Sequence, residues 1–310
     1  MSWGRESAVT LYLDEEEVRQ HLRMEDLIPA MERALIEFST GKVIQPVRSG
    51  IAIDPPGGFF FLMPALCEGL GVKIVTFYPP NAEHGLPTHM ATIFLVDPHS
   101  GTPLAIMDGR LITEMRTAAV SAAATKLLSA PDARMLAMLG SGIQARSHHE
   151  ALRLVRNFEE GRVWSRTPAH AQRFAEEIGA QAVSAEEAVR DADVVVTATS
   201  AREPVLKGAW LKPGCHVNAV GAPRPDWREL DDEAMSHVLF VDSREGALRE
   251  SGDVMLSGAR IYAEIGEALA GEVSPRADET TVFKSLGMAV EDIAAAMLVY
   301  RSAAQGQEPH

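Results

Sequence analysis

Gly140-Ser141-Gly142-Ile143-Gln144-Ala145 follows directly on the apolar run Met135-Leu136-Ala137-Met138-Leu139, and this junction constrains the fold more than any other stretch of the chain. A G-x-G-x-x-A hexapeptide alone arises often by chance. Between a strand and a helix it has a mechanical meaning. Gly140 permits a tight turn, Gly142 lets a pyrophosphate approach the backbone at the helix N-terminus, and Ala145 lets the helix pack closely on the strand. The bland alternative is a glycine turn in an α/β domain that binds no nucleotide. The rhythm continues with strand 162–165, helices 168–178 and 184–190, and strands 193–198, 215–220 and 238–242. Ser184-Ala185-Glu186-Glu187 has the form of a capping box. Helices near 243–250 and 260–270, a strand near 280–284 and a helix over 286–302 complete the pattern. Apolar strands alternating with helices predict an α/β fold with a Rossmann-like, doubly wound parallel sheet covered on both faces.

The N-terminal part has another texture. Asp14-Glu15-Glu16-Glu17 forms a second capping box. Leu27, Met31, Leu35 and Phe38 then recur at helical spacing, with Pro29 best placed in the first turn and Gly41 as the C-terminal cap. Segments 43–53, 59–63, 71–77, 90–96 and 103–108 are short, rich in Val, Ile, Phe and Thr, and separated by Pro, Gly and Asn. No helix interrupts them, so they predict a largely antiparallel or mixed sheet. A long helix, 110–129, follows.

Composition narrows the function classes. Forty-three acidic and 29 basic residues give the 310-residue chain a formal net charge of −14, which argues against a nucleic-acid partner. No apolar run has the roughly 18 residues of a spanning helix, and the N-terminus lacks the basic and apolar segments of a signal peptide. These absences predict a cytoplasmic protein with no membrane partner. Cys67 and Cys215 are read as two reduced thiols that cannot make a zinc site, and no metal is predicted.

The second strand of the nucleotide unit discriminates between cofactors. An NAD site commonly places Asp or Glu about 20 residues after the glycines, on the ribose 2′-hydroxyl. Here the strand ends in Ser165-Arg166-Thr167, with no carboxylate. Arg166 can pair with a 2′-phosphate and the two hydroxyls can donate to it, so NADP(H) is preferred over NAD(H).

These residues, with Gln45-Pro46-Val47-Arg48, Lys73-Ile74-Val75-Thr76-Phe77, Met107-Asp108-Gly109, Arg116-Thr117-Ala118-Ala119-Val120-Ser121, Val220-Gly221 through Leu230, Glu250-Ser251-Gly252-Asp253 and Phe283 through Asp292, resemble the ornithine cyclodeaminase/mu-crystallin family over nearly the whole chain. The run Arg224-Pro225-Asp226-Trp227-Arg228-Glu229-Leu230 is particularly similar to the mu-crystallin branch, known as an NADPH-dependent ketimine reductase and thyroid-hormone binder. The resemblance implies a substrate-binding and dimerisation domain from residues 1–120 plus about 296–310, a Rossmann-like NADP(H) domain over 121–295, and a homodimer formed through the substrate-domain sheet.

Reduction of a cyclic α-imino acid needs a cationic clamp for the carboxylate, a proton source for the nitrogen and a nicotinamide facing the carbon. Arg48, Lys73 and Arg116 supply cations, and the resemblance implies that they line the substrate pocket. The two arginines suit bidentate carboxylate binding. Lys73 lies in an apolar strand, where desolvation and neighbouring Arg charge lower an ammonium pKa toward neutrality, so it is the candidate proton donor or imine positioner. The alternatives are ordinary surface charges. The resemblance also implies cofactor contacts at Thr88, His89, Arg116, Thr117, Gly140, Gly142, Ile143, Gln144, Thr199, Val220, Gly221 and Ser285, and substrate contacts at Arg224 and Trp227. Ser285 alternatively caps a helix.

In cyclodeaminases of this family the loop after the Val-Gly pair carries an Asp that works on the substrate amine. That position here is Pro223, which has no acid–base side chain. Asp226 lies three residues on but belongs to the mu-crystallin-like run. Net imine reduction therefore ranks above cyclodeamination. An alanine-type amino-acid dehydrogenase and an NADPH-dependent binding protein for a thyroid-hormone-like ligand are the rivals.

Overall fold

The computed structural model describes residues 10–276 and 278–305, which divide into two compact units. The first unit comprises residues up to 30, 41–116 and 288 onward; the second comprises 31–40 and 117–287.

In the first unit, strands β1 (Leu11–Leu13), β2 (Ser49–Ile53), β3 (Gly58–Leu66), β4 (Leu70–Phe77), β5 (His89–Val96) and β6 (Pro103–Asp108) form one mixed sheet, ordered β1-β6-β5-β4-β3-β2. β1 runs parallel to β6 and every other pairing is antiparallel. Strand alternation fixes what each face carries. Met63, Lys73, Ile93 and Met107 sit opposite one another across β3 to β6, and all four are buried. The C-terminal helix Ala289–Gln305 packs over this face. Gly71 allows its close approach, since a Cβ there would lie 2.5 Å from the Phe94 carbonyl oxygen and 2.9 Å from Ile293 Cδ1. The opposite face carries Leu62, Val72, Ile74, Met90, Phe94 and Ile106, half-buried or exposed in the single chain.

The Asp14 capping box forms as predicted at the start of α1 (Glu15–His21). Helix α2 (Met24–Ser39) buries Leu27, Met31 and Leu35. It begins earlier than the capping pattern suggests, so Pro29 lies in its second turn, not its first, and supplies no amide for the Glu25 carbonyl. Segment 43–53 is a strand only from Ser49, with an isolated Ile44–Leu66 bridge before it, because Pro46 cannot donate to a ladder. Helix α3 (Arg110–Leu128) matches its predicted span within a residue.

In the second unit, β7 (Met135–Leu139), β8 (Glu160–Trp164), β9 (Gln181–Ala182), β10 (Val194–Thr197), β11 (His216–Ala219), β12 (Val238–Val241), β13 (Ile261–Glu264) and β14 (Thr281–Lys284) make a wholly parallel sheet, ordered β13-β12-β14-β11-β10-β7-β8-β9. The α/β class with one mixed and one parallel sheet is thus the predicted one. Helices α4 (Ile143–Arg153), α5 (Pro168–Ile178) and α6 (Ala185–Val189) follow β7, β8 and β9, and Ser184 caps α6 in the predicted box. One element was misread. The helix expected over 260–270 is confined to Ile265–Leu269, because residues 261–264 pair with β12 as a strand. The last helix starts at Ala289, not 286, since Gly287 holds φ +82°, outside the helical region.

Candidate active site

The nucleotide cradle is built where β7 ends. Gly140 adopts φ +132°, and a Cβ there would lie 2.5 Å from the Ala198 carbonyl oxygen, so the turn admits only glycine. Gly142 is the N-cap of α4, makes no side-chain cap bond, and has no atom within 4 Å of where a Cβ would project. Ala145 is fully buried against the sheet. Ile143 is exposed, whereas the Gln144 side-chain oxygen is buried with no hydrogen-bond partner. Arg146, which the sequence reading missed, braces the loop. It donates to the Ser141 carbonyl at 2.7 Å and the Gly142 carbonyl at 3.3 Å, is held by Glu177, and stacks over the Phe174 ring at 4.9 Å. Its position one turn beyond Gly142 was the available signal.

Ser141 Oγ donates to Ser165 Oγ at 3.0 Å, joining the glycine loop to the end of β8. Arg166 is exposed beside it. Thr167 is the N-cap residue of α5 but makes no side-chain cap bond.

On the other side of β7, Thr199, Val220 and Gly221 follow β10 and β11. Thr199 donates both its amide and its hydroxyl to Glu229, and the Val220 amide donates to the Thr197 carbonyl at 2.9 Å. Ser285 is buried, its amide donating to the Ala219 carbonyl at 3.0 Å and its hydroxyl facing Asp242 at 3.5 Å. It caps no helix, because the following helix begins four residues later, at Ala289. Arg224 and Arg202 both lie over the half-buried Trp227 ring at 5.4 Å.

The cationic cluster belongs to the first unit. Sheet register turns Lys73 to the covered face, where it is 1% exposed. Its ammonium pairs with Asp292 at 2.5 Å and donates to Thr113 Oγ1 at 3.3 Å. Arg116 donates through Nε to the other Asp292 oxygen at 2.9 Å and through Nη1 to Glu291 at 2.6 Å. Both carboxylates are fully buried. Burial lowers the Lys73 pKa to about 8; Asp292 opposes that shift, and the charges of Arg116 and Arg48 add to it. Gln45 accepts the Val290 amide at 2.7 Å and so ties the Gln45–Arg48 segment to the C-terminal helix. His89 lies against the Phe77 ring at 4.4 Å, and partial desolvation, followed by the Lys73 charge, lowers its pKa. The Thr88 carbonyl accepts the Tyr78 amide at 2.8 Å.

Lys73 and Arg116 therefore share Asp292, and the charge of Arg48 reaches Lys73. Glu291 and Asp292, which hold two of them, were not named as site residues. Their signal was visible: two adjacent carboxylates in an otherwise apolar helix stretch, Ala289 to Val299, need buried cations.

A Rossmann-type parallel sheet with an open glycine cradle, joined to a mixed sheet carrying a buried cationic cluster, defines a two-unit α/β protein of nucleotide-binding type. The chain belongs to the ornithine cyclodeaminase/mu-crystallin family, whose pattern it matches over residues 8–307. It is 51% identical over 307 residues to the ketimine reductase mu-crystallin of Mus musculus, covering 96% of this chain and 98% of that protein. Among solved structures, the Thermococcus litoralis Δ1-pyrroline-2-carboxylate reductase in complex with NADH and L-proline superposes with TM-score 0.91 at 40% identity, over 96% of this chain and 98% of that one. An archaeal alanine dehydrogenase dimer with bound NAD gives TM-score 0.92 at 33% identity, over 97% and 98%. Among the described residues no helix is long and apolar enough to cross a membrane.

Proposed function

We propose that this chain is an NADPH-dependent reductase of cyclic α-imino acids, with Δ1-piperideine-2-carboxylate, Δ1-pyrroline-2-carboxylate or a sulfur-containing analogue as substrate. The observation that carries this reading is Lys73, a buried ammonium with its pKa lowered to about 8 beside Asp292 and Arg116. Arg48, Lys73 and Arg116 supply the cations that a substrate with one carboxylate needs. Arg48 and Arg116 hold that carboxylate, and Lys73 supplies or maintains the proton on the ring nitrogen. With a pKa near 8, its ammonium is both populated at neutral pH and acidic enough to give up the proton.

The residues of the second unit fit a dinucleotide. The open space at Gly142, at the N-terminus of α4, is what a bound pyrophosphate would fill. Gly140, Gly142, Ile143 and Gln144 would hold it, with Thr199, Val220, Gly221 and Ser285 along the strand ends. When bound, the dihydronicotinamide supplies hydride to the imine carbon. Ser165, Arg166 and Thr167, where no carboxylate faces a ribose, support NADPH over NADH. The NADH and L-proline of the Thermococcus relative support a nicotinamide cofactor and a cyclic amino acid as product. Pro223 supports net reduction over cyclodeamination. The apolar outer face of the mixed sheet supports a homodimer, and two cysteines that form no disulfide, Cys67 and Cys215, fit a cytoplasmic location.

The test is incubation with each ketimine and with NADPH or NADH. Consumption of NADPH with formation of the saturated imino acid is expected. No consumption with any ketimine overturns the reading, and ammonia-dependent oxidation of NADPH with pyruvate would replace it by an amino-acid dehydrogenase.

A further inference from the structure

Glu229 lies fully buried in the second unit and collects four hydrogen bonds on one carboxylate. Its Oε1 accepts from the Thr199 amide at 2.7 Å and the Thr199 hydroxyl at 2.6 Å. Its Oε2 accepts from the Thr197 hydroxyl at 2.8 Å and the Gly221 amide at 2.8 Å. Thr197 and Thr199 belong to the end of β10 and Gly221 to the end of β11, so one side chain ties the two strand ends together. The packing is tight enough to dictate residue 221: a Cβ on Gly221 would lie 2.5 Å from Glu229 Oε1.

The carboxylate is itself anchored. Its own amide, and that of Leu230, donate to Asp253 Oδ1 at 2.8 Å and 3.0 Å. Lys284, also buried, pairs with Asp253 at 2.9 Å and donates to the Gly221 carbonyl at 2.5 Å. The arrangement demands the acid. Each Glu229 oxygen faces one backbone amide that can only donate. A glutamine in its place must turn its NH2 against one of those two amides, whichever way it flips.

The place of this network in the sheet gives it a purpose. The chain leaves β7 toward β8 on one side and returns through β10 on the other, so the crossover switch lies between β7 and β10, where open parallel sheets bind their ligands. Gly140, after β7, packs against Ala198, between Thr197 and Thr199. We propose that Glu229 is a positioning residue for the nucleotide: it sets the 199 and 221 ends that form the β10–β11 wall of the crevice, and acts through them without being a ligand. The inference rests on the dinucleotide reading of the 140–145 loop.

The test is NADPH and NADH binding to the purified full chain, followed by nucleotide fluorescence, with thermal melting recorded beside it. Wild-type binding comes first, and its absence would refute the dinucleotide reading before any variant is made. Given wild-type binding, Glu229→Gln is expected to weaken the nucleotide by about 10- to 100-fold. Thr197→Val, nearly isosteric, removes one of the four donors while the Gly221 amide still serves the same oxygen, and is expected to weaken the nucleotide by about 2- to 10-fold, and Thr197→Ser restores it. A role in folding alone would lower melting and leave nucleotide affinity untouched. Native affinity in a folded Glu229→Gln overturns the proposal; where that variant does not fold, native affinity in Thr197→Val does so.

Discussion

Asp292 is shared by Lys73 and Arg116, which makes Asp292→Asn the sharpest probe of the cationic cluster. The amide keeps the shape of the side chain and removes its charge. Burial and the neighbouring guanidiniums push the Lys73 pKa down, and Asp292, 2.5 Å from the ammonium, pushes it back up to about 8. Loss of an opposite charge at this distance lowers a pKa by about 1–3 units. In the variant, Lys73 therefore titrates at roughly 5–7, and at neutral pH it is largely a neutral amine that cannot protonate the ring nitrogen. The direction follows from the proton balance: the donor form is lost as pH rises through the Lys73 pKa, so the alkaline limb of kcat/KM for imine reduction moves to lower pH by the same 1–3 units. Neutralisation of Lys73 also spares the fold an uncompensated buried ammonium, so the variant should be foldable. The assay is NADPH oxidation with a fixed ketimine across pH, with nucleotide affinity measured in parallel. Glu291 still holds Arg116 and the 140–145 loop is untouched, so NADPH should still bind. An alkaline limb that stays in place, in a folded variant that binds NADPH, would refute Lys73 as the proton source.

The remaining predictions concern single residues. Lys73→Met should retain NADPH affinity while losing about 100-fold or more in kcat, and near-native turnover removes Lys73 from the chemistry. The same pair of proteins tests the linkage: with Lys73 at about 8 folded and about 10.4 unfolded, the unfolded chain binds more protons between these values, so wild type should gain roughly 2 kcal/mol over Lys73→Met in denaturant unfolding from about pH 7 to 9.5, and a flat difference argues against the lowered pKa. Arg166→Ala should weaken NADPH by about 10- to 100-fold, the worth of a charge-assisted pair, and leave NADH within about twofold; equal losses for both would place Arg166 away from the 2′-phosphate. Gly140→Ala puts a methyl group 2.5 Å from the Ala198 carbonyl at φ +132°, so it should lower melting and abolish nucleotide binding, and native values for both would contradict the tight turn.

The parallel unit was legible because its signals are local. Each apolar strand is a short run bounded by turn residues, and α5 and α6 announce their starts through Pro168 and the Ser184 box. What escaped depends on pairing rather than pattern. Ile261–Glu264 and Leu11–Leu13 are too short to show a period, and they are strands only because β12 and β6 offer them an edge. Pro29 shows the reverse case: its local preference is for a first turn, yet burial of Leu27, Met31 and Leu35 extends the helix past it at both ends.

At the site, cations were easier to find than what holds them. Lys73 is conspicuous as one charge in an apolar strand, and its inward direction follows from its place two residues after Gly71 on the covered face. Asp292 lies far along the chain, and only the C-terminal helix laid over β4 shows that Lys73 and Arg116 share one carboxylate. Glu229 is a similar case within the second unit. In sequence it is one acid in a run of charges, and only the ends of β10 and β11 reveal four donors converging on it. A net charge of −14 conceals both arrangements, because what acts is local balance. Asp292 holds both Lys73 and Arg116, so removing its charge should take the proton from Lys73 while Glu291 keeps Arg116 in place.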